Sequence, residues 1–195
     1  MKVIGVTGGV GAGKSTVLDY LEKEQNARLL KLDDEARRMQ EKGGILYDAM
    51  VSLVGRNRLL ANGNLDRRAV AEAMYSDEAL KRAIEALVHP AVRKRTEEAI
   101  RDAAGEGISL FVIESALLIE ENYDEICDEL WYIYAIEPVR RERLKASRHY
   151  SDALIDSILK RQLSDEVFRR HADVVINNSG TPEDTRRQIE MRLNS

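Results

Sequence analysis

Cysteine is almost absent from this chain of 195 residues: there is one, Cys127. A single thiol excludes an internal disulfide framework and a cysteine-built metal site. Aromatic residues make up only 5% of the chain, with one tryptophan. No apolar run approaches the roughly 18 residues that a membrane-spanning helix requires. Prolines number three, and no low-complexity linker or internal repeat interrupts the sequence. An excess of positive charge is lacking too: the net charge is −4, which argues against a nucleic-acid polycation. The chain enters an apolar run at Val3, so no signal peptide is expected. A cytoplasmic protein without membrane or nucleic-acid partners is the expectation, as a monomer or weak oligomer. What is present, 44% hydrophobic and 33% charged residues, suits a soluble globular protein with one sizeable core.

One stretch organises the rest. Val3, Ile4 and Val6 form a short β-branched run. They lead into Gly8-Gly9-Val10-Gly11-Ala12-Gly13-Lys14-Ser15, which fills the pattern G-x-x-x-x-G-K-[ST]. A helical stretch follows, with Val17, Leu18 and Leu21 on one face. Strand, glycine-rich turn and helix are the context that a phosphate-binding loop needs. Glycines let backbone N–H groups crowd around an anion, and the helix N-terminus adds partial positive charge. The expected nucleotide ligands are Gly8, Gly9, Gly11, Ala12, Gly13, Lys14, Ser15 and Thr16. Lys14 is expected to reach the outer phosphates and the Ser15 hydroxyl to bind Mg²⁺.

Five short apolar runs separated by helical patterns predict an open parallel sheet covered on both faces. They lie near Val3, at 28–32, 110–113, 130–136 and 174–176. A helix is expected from about Asp33 to Lys42, with Asp34 as the better pure cap, and another from Ile45 to Val54. Gly55 to Asp66 reads as a turn or short hairpin. Asp66 is expected to cap one helix and Ser76 the next. His89-Pro90 is expected to interrupt that helix, since proline disfavours the α conformation in the residue before it. Thr181-Pro182 marks a last helix start. The stretch from about Gly43 to Ala104 is far longer than a strand crossover needs. It is expected to be a helical substrate subdomain (43–104) inserted in a nucleotide-binding core (1–42, 105–137 and 172–195). A basic lid is expected at 138–171.

Ligands of such sheets sit beyond the carboxyl ends of the strands. Asp33 follows the second strand and Glu114 the third. Transfer of a phosphoryl group to a hydroxyl needs a carboxylate base, a role given to Asp33. Glu114 is assigned to the Mg²⁺ shell or the substrate. A helix cap for Asp33 and a plain acidic strand end for Glu114 are the competing structural readings. The lid carries Arg140, Arg141, Arg143, Lys145 and Arg148. Some of these must face solvent; Arg143 and Arg148 are expected to close over the phosphates. His89 is read three ways: as a phosphate contact, as a base, or as part of a helix break.

Taken together, these motifs resemble the dephospho-CoA kinase family over nearly the full chain. The resemblance rests on Gly5 to Thr16, on Asp33, and on G-x-L-D-R at Gly63 to Arg67. It continues through His89-Pro90, L-L-I-E at Leu117 to Glu120, Arg143-Leu144, Gln162, and A-D-V-V-I-N-N-S-G at Ala172 to Gly180. It implies a P-loop kinase-like α/β fold of three layers: a central five-stranded parallel sheet, a helical CoA subdomain and a helical lid. It also implies transfer of the γ-phosphoryl group of ATP, with Mg²⁺, to the ribose 3′-hydroxyl of dephospho-CoA. On this likeness Asp33 looks like the base. Arg67, His89, Leu117 and Leu118 look like acceptor contacts, and Arg143 like a phosphate ligand. Asn177 looks close to the adenine. The chain departs from the family pattern at Lys31, Glu114, Ala116 and the Arg143–Arg148 spacing. A nucleoside or nucleoside-monophosphate kinase is the alternative within enzymes. A nucleotide-dependent switch protein is the alternative outside them, although no Asn-Lys-x-Asp guanine motif supports guanine specificity.

Overall fold

The computed structural model of the chain describes residues 1–194. In chain order the elements are β1 (Lys2–Thr7), α1 (Lys14–Glu24), β2 (Arg28–Lys31), α2 (Leu32–Gln40), α3 (Tyr47–Val54), α4 (Arg67–Ser76), α5 (Glu78–Gly105), β3 (Leu110–Glu114), β4 (Glu129–Tyr134), α6 (Glu137–Arg148), α7 (Asp152–Arg161), α8 (Asp165–His171), β5 (Val174–Asn177) and α9 (Pro182–Leu193). The chain divides into two compact units, Met1–Leu30 with Asp102–Ser195, and Lys31–Arg101.

The first unit is built on a five-stranded parallel sheet in the order β2-β3-β1-β4-β5. Register places Ile4 beside Val112 and Val6 beside Trp131. These strands read as continuous apolar runs because both faces of the sheet are covered. On one face Ile4, Val6, Trp131, Ile133 and Ile176 pack with Val17, Leu18 and Leu21 of α1 and Ile189 of α9. The chain leaves β1 toward β2 on one side and leaves β4 toward β5 on the other. That reversal opens a crevice at the carboxyl ends of two adjacent strands, where open α/β sheets bind ligands. The glycine-rich turn follows β1 at this point. At the opposite end of the sheet, the Glu129 carboxylate binds Lys2 at 2.7 Å and Arg192 at 2.9 Å and accepts from the Trp131 indole at 2.7 Å.

The second unit is helical. The Asp66 carboxylate caps α4 by accepting from the N–H groups of Arg68 and Ala69, as expected. Between α3 and α4 lie a 3-10 turn at Arg56–Arg58 and one antiparallel bridge, Leu59 to Leu65. Three local expectations change. Ser76 ends α4 instead of capping α5, because its hydroxyl bonds back to the carbonyls of Glu72 and Ala73. The cap passes to Asp77, whose Oδ1 accepts from Ala79 at 2.9 Å and Leu80 at 3.0 Å. Neither Asp33 nor Asp34 caps α2, which starts at Leu32 and holds both inside its first turn. There they complement the positive end of the helix dipole. Finally, α5 runs unbroken for 28 residues with Pro90 inside it. Pro90 and Ala86, whose carbonyl loses its partner to the proline ring, are both exposed. Water can satisfy that carbonyl, so the helix need not stop.

Candidate active site

In the first unit the glycine-rich turn wraps the start of α1. Gly13 is the helix cap at φ 88°, a left-handed conformation that favours glycine. A Cβ at Gly13 would overlap the Asn178 side-chain amide. Among the described residues the N–H groups of Gly11, Gly13 and Ser15 meet no protein acceptor. Unpaired donors at a helix N-terminus form an anion site. The Lys14 ammonium donates to the Gly8 carbonyl at 2.8 Å and lies 3.7 Å from the Glu114 carboxylate. Both side chains are less than one-fifth exposed, so this cation is held at the loop mouth. The hydroxyls of Ser15 and Thr16 belong to exposed residues. Thr16 also lines a groove of about 250 Å³ between α1 and α9, with Tyr20, Pro182 and Arg186.

Side chains from α6 and from the turn after β5 hold the loop from outside. Arg143 donates to the carbonyls of Ala12 at 3.3 Å and Asn178 at 2.9 Å. Asn178 is 3% exposed. Its amide donates to the Ala12 carbonyl at 2.7 Å and accepts from Thr185 Oγ1 at 2.9 Å. Arg140 donates to the Val10 carbonyl at 2.9 Å and to Gln162 at 2.7 Å. Burial pushes the Arg140 guanidinium below its ordinary value, but an arginine stays charged. Asn178, Arg140 and Gln162 have no role among the loop contacts expected from the sequence.

The remaining expected residues are placed as follows. Asn177 is exposed; its side chain accepts from the Ser179 N–H. Arg148 lies over the Tyr150 ring at 5.9 Å from the centroid and makes no bond to the loop among the described residues. Leu117 is 46% exposed, whereas Leu118 is fully buried near Gly5. Cys127 has its thiol pushed up to about 12, chiefly by burial, so it carries no thiolate at neutral pH. In the second unit Asp33 is exposed, and its carboxylate has no ion-pair or hydrogen-bond partner among the described residues. Arg67 lies 3.6 Å from Glu41. It lines a cavity of about 610 Å³ with Arg37, Gln40, Leu60, Leu65 and Met74. His89 is half-buried within α5.

A nucleotide and its magnesium ion can be tested against these residues. The unpaired N–H groups and the lysine fit a polyphosphate. No cluster of three or more His, Cys, Asp or Glu side chains suited to a metal exists among the described residues. The Ser15 hydroxyl and the Glu114 carboxylate near Lys14 are oxygen donors of the kind Mg²⁺ takes, one or two from protein beside substrate phosphates and water.

The family model described as Dephospho-CoA kinase matches residues 2–184. The chain belongs to the dephospho-CoA kinase family. A dephospho-CoA kinase of Geobacter sulfurreducens is 33% identical over 190 residues, covering 97% of this chain and 96% of that protein. One of Salinibacter ruber is 36% identical over 188 residues, covering 96% and 94%. A crystal structure from Thermus thermophilus superposes with a TM-score of 0.84 at 30% identity, covering 99% and 96% of the two chains. A dephospho-CoA kinase structure from Campylobacter jejuni gives 0.72 at 21% identity, covering 100% and 96%, and supports the fold. Membership of the dephospho-CoA kinase family makes this chain a kinase that transfers a phosphoryl group to an alcohol. The switch-protein and nucleoside-kinase alternatives are not favoured. No helix among the described residues is long and apolar enough to cross a membrane.

Proposed function

We propose that this kinase transfers the γ-phosphoryl group of ATP to the ribose 3′-hydroxyl of dephospho-CoA, with the following division of labour. The N–H groups of Gly11, Gly13 and Ser15 take the inner phosphates, framed by Gly8, Gly9, Ala12 and Thr16. Lys14 exchanges the Gly8 carbonyl and Glu114 for the outer phosphates and follows the charge as it moves to the leaving oxygen. Arg143, which bonds the Ala12 carbonyl, is the lid cation that neutralises equatorial phosphoryl oxygens. Arg148 is the second lid cation and leaves Tyr150 to do so. Asn177, exposed at the end of β5, borders the adenine.

Mg²⁺ would be held by the Ser15 hydroxyl, with Glu114 acting through water. When bound, it supplies charge neutralisation of the phosphate oxygens. Asp33 is the base: it orients the 3′-hydroxyl and takes its proton as the new P–O bond forms. With no partner among the described residues, both its oxygens are available. Arg67 and its cavity, lined by apolar Leu60, Leu65 and Met74 as well as by arginines, take the acceptor, and His89 adds a polar contact. Leu117 offers an apolar surface that buried Leu118 anchors. The core (1–42, 105–137, 172–195), acceptor subdomain (43–104) and lid (138–171) divide these tasks. Lid closure excludes water and limits wasteful hydrolysis. A cytoplasmic protein acting as a monomer or weak oligomer, without nucleic-acid or membrane partners, is part of this reading.

The observation that carries it is the set of unpaired loop donors beside Lys14, in a chain of this family. The test is an ATP assay with dephospho-CoA and product analysis by phosphorus NMR. The expected product carries a 3′-phosphate. Phosphate on a nucleoside 5′ position, with none on dephospho-CoA, would overturn it.

A further inference from the structure

Val10, the central residue of the phosphate loop, spends both its backbone groups on lid side chains. Its carbonyl accepts from Arg140 Nε at 2.9 Å, and its N–H donates to Gln162 Oε1 at 3.2 Å. The same Gln162 oxygen accepts from Arg140 Nη2 at 2.7 Å. Three residues from three places, the loop, α6 and the end of α7, thus close one ring of hydrogen bonds. The guanidinium lies against Gly9, where a Cβ would overlap it. Arg140 is half-buried, and hydrogen bonds from a charged donor are the strong ones. Three residues further along α6, Arg143 bonds the Ala12 carbonyl. Helix α6 therefore grips the loop at two points, one on each side of Gly11.

We infer that Arg140 and Gln162 are positioning residues that hold the phosphate loop open for the nucleotide and tie its shape to α6 and α7. The inference rests on the phosphate-loop reading above. The ring fixes the Gly9–Val10 and Val10–Gly11 peptides, so the N–H groups that follow stay aimed at the anion. A loop released from it must be ordered by the nucleotide itself, which weakens binding without touching the reacting atoms. Neither side chain need leave its place during transfer.

The test compares Gln162→Leu, Gln162→Glu, Arg140→Gln and the double variant Arg140→Gln/Gln162→Leu with the parent chain. The readouts are ADP affinity by calorimetry, KM for ATP and kcat with dephospho-CoA, and thermal unfolding as a control on folding. Gln162→Leu and Arg140→Gln should each weaken ADP binding and raise KM roughly tenfold, the scale of one buried charged-group hydrogen bond. Their kcat should stay within about threefold, because a binding effect common to ground and transition states leaves it alone. Gln162→Glu should restore affinity, since a carboxylate can accept both bonds. The double variant should be little worse than either single change, because each breaks the same ring. Parent-like ADP affinity in a folded Gln162→Leu chain would overturn the inference. So would a fall in kcat at unchanged KM, or Gln162→Glu behaving like Gln162→Leu. If the parent chain itself fails to bind ADP, the phosphate-loop reading fails; if it binds and the variants match it, only the ring's role fails.

Discussion

Removing the Asn178 side chain should loosen the phosphate loop in a way whose size the structure sets. Asn178→Ala deletes two buried hydrogen bonds, to the Ala12 carbonyl at 2.7 Å and from Thr185 Oγ1 at 2.9 Å. The backbone bonds stay: the Asn178 N–H still donates to the Tyr134 carbonyl, and its carbonyl still accepts from Arg143. Neither former partner is left bare. The Ala12 carbonyl keeps Arg143 at 3.3 Å, and Thr185 keeps the Thr181 carbonyl at 3.3 Å. The loss is therefore the net value of two bonds, about 1–3 kcal/mol, without the penalty of stranded groups. For a chain of this size that lowers the unfolding midpoint by about 3–10 °C. The assay is thermal unfolding followed by the fluorescence of Trp131, the one tryptophan, which is fully buried in β4. KM for ATP should rise several-fold in parallel. Asn178→Asp separates donor from acceptor: it keeps an oxygen for Thr185 but turns a carboxylate toward the Ala12 carbonyl. At neutral pH it should be at least as damaging as alanine, and the damage should lessen as the carboxyl gains a proton and can donate. An alanine variant with the parent's midpoint and KM would refute the claim that this asparagine braces the loop.

Other expectations follow from particular groups. Lys14→Ala should cost transfer at least about 100-fold while leaving the sheet intact, the scale for losing one electrostatic stabiliser; steady-state kinetics with ATP and dephospho-CoA check it. Burial would raise the pKa of Glu129, but hydrogen bonds from Lys2, Trp131 and Arg192 bring it below its ordinary 4.5. Its stabilisation is present above that value and is lost as the pH falls through the folded-state value. Glu129→Gln should lower stability by about 1–3 kcal/mol at pH 7 and flatten the acid limb of a urea-midpoint against pH plot. Pro90→Ala, at an exposed position within α5, restores a helix N–H and should stabilise the chain by about 1–3 kcal/mol in urea unfolding.

The phosphate loop was legible because its chemistry is local: glycines, lysine and serine at fixed spacing, after one apolar run and before one helical face. The sheet was legible for the same reason, each buried strand being a short apolar run. Caps at Asp66 and Thr181 were read correctly, since a capping side chain bonds its own next turn. Ser76 was not, because its hydroxyl had a competing choice within α4. Pro90 misled because the tolerance of a helix for proline depends on which carbonyl is orphaned and whether water reaches it. The arginines of α6 show the limit of composition. On α6 the one buried residue is Leu144. Arg140 and Arg143, four and one residues before it, turn to the loop. Arg141 and Lys145, one turn apart, pair with Asp152 on α7. Reading α6 as a helix with one apolar anchor would have singled out Arg140 at the i−4 position. Asn178, in the turn just past β5, bonds the Ala12 carbonyl, whereas Asn177, the last residue of β5, accepts from the Ser179 N–H; an Asn-Asn pair in the sequence does not say which of the two reaches the loop.

Asp33→Asn tests the central claim most directly, because it keeps shape and polarity and removes only the carboxylate's basicity. Nucleotide affinity should stay near the parent's, while kcat for dephospho-CoA phosphorylation falls at least about 100-fold. Near-normal turnover in that variant would contradict the assignment of Asp33 as the group that takes the hydroxyl proton.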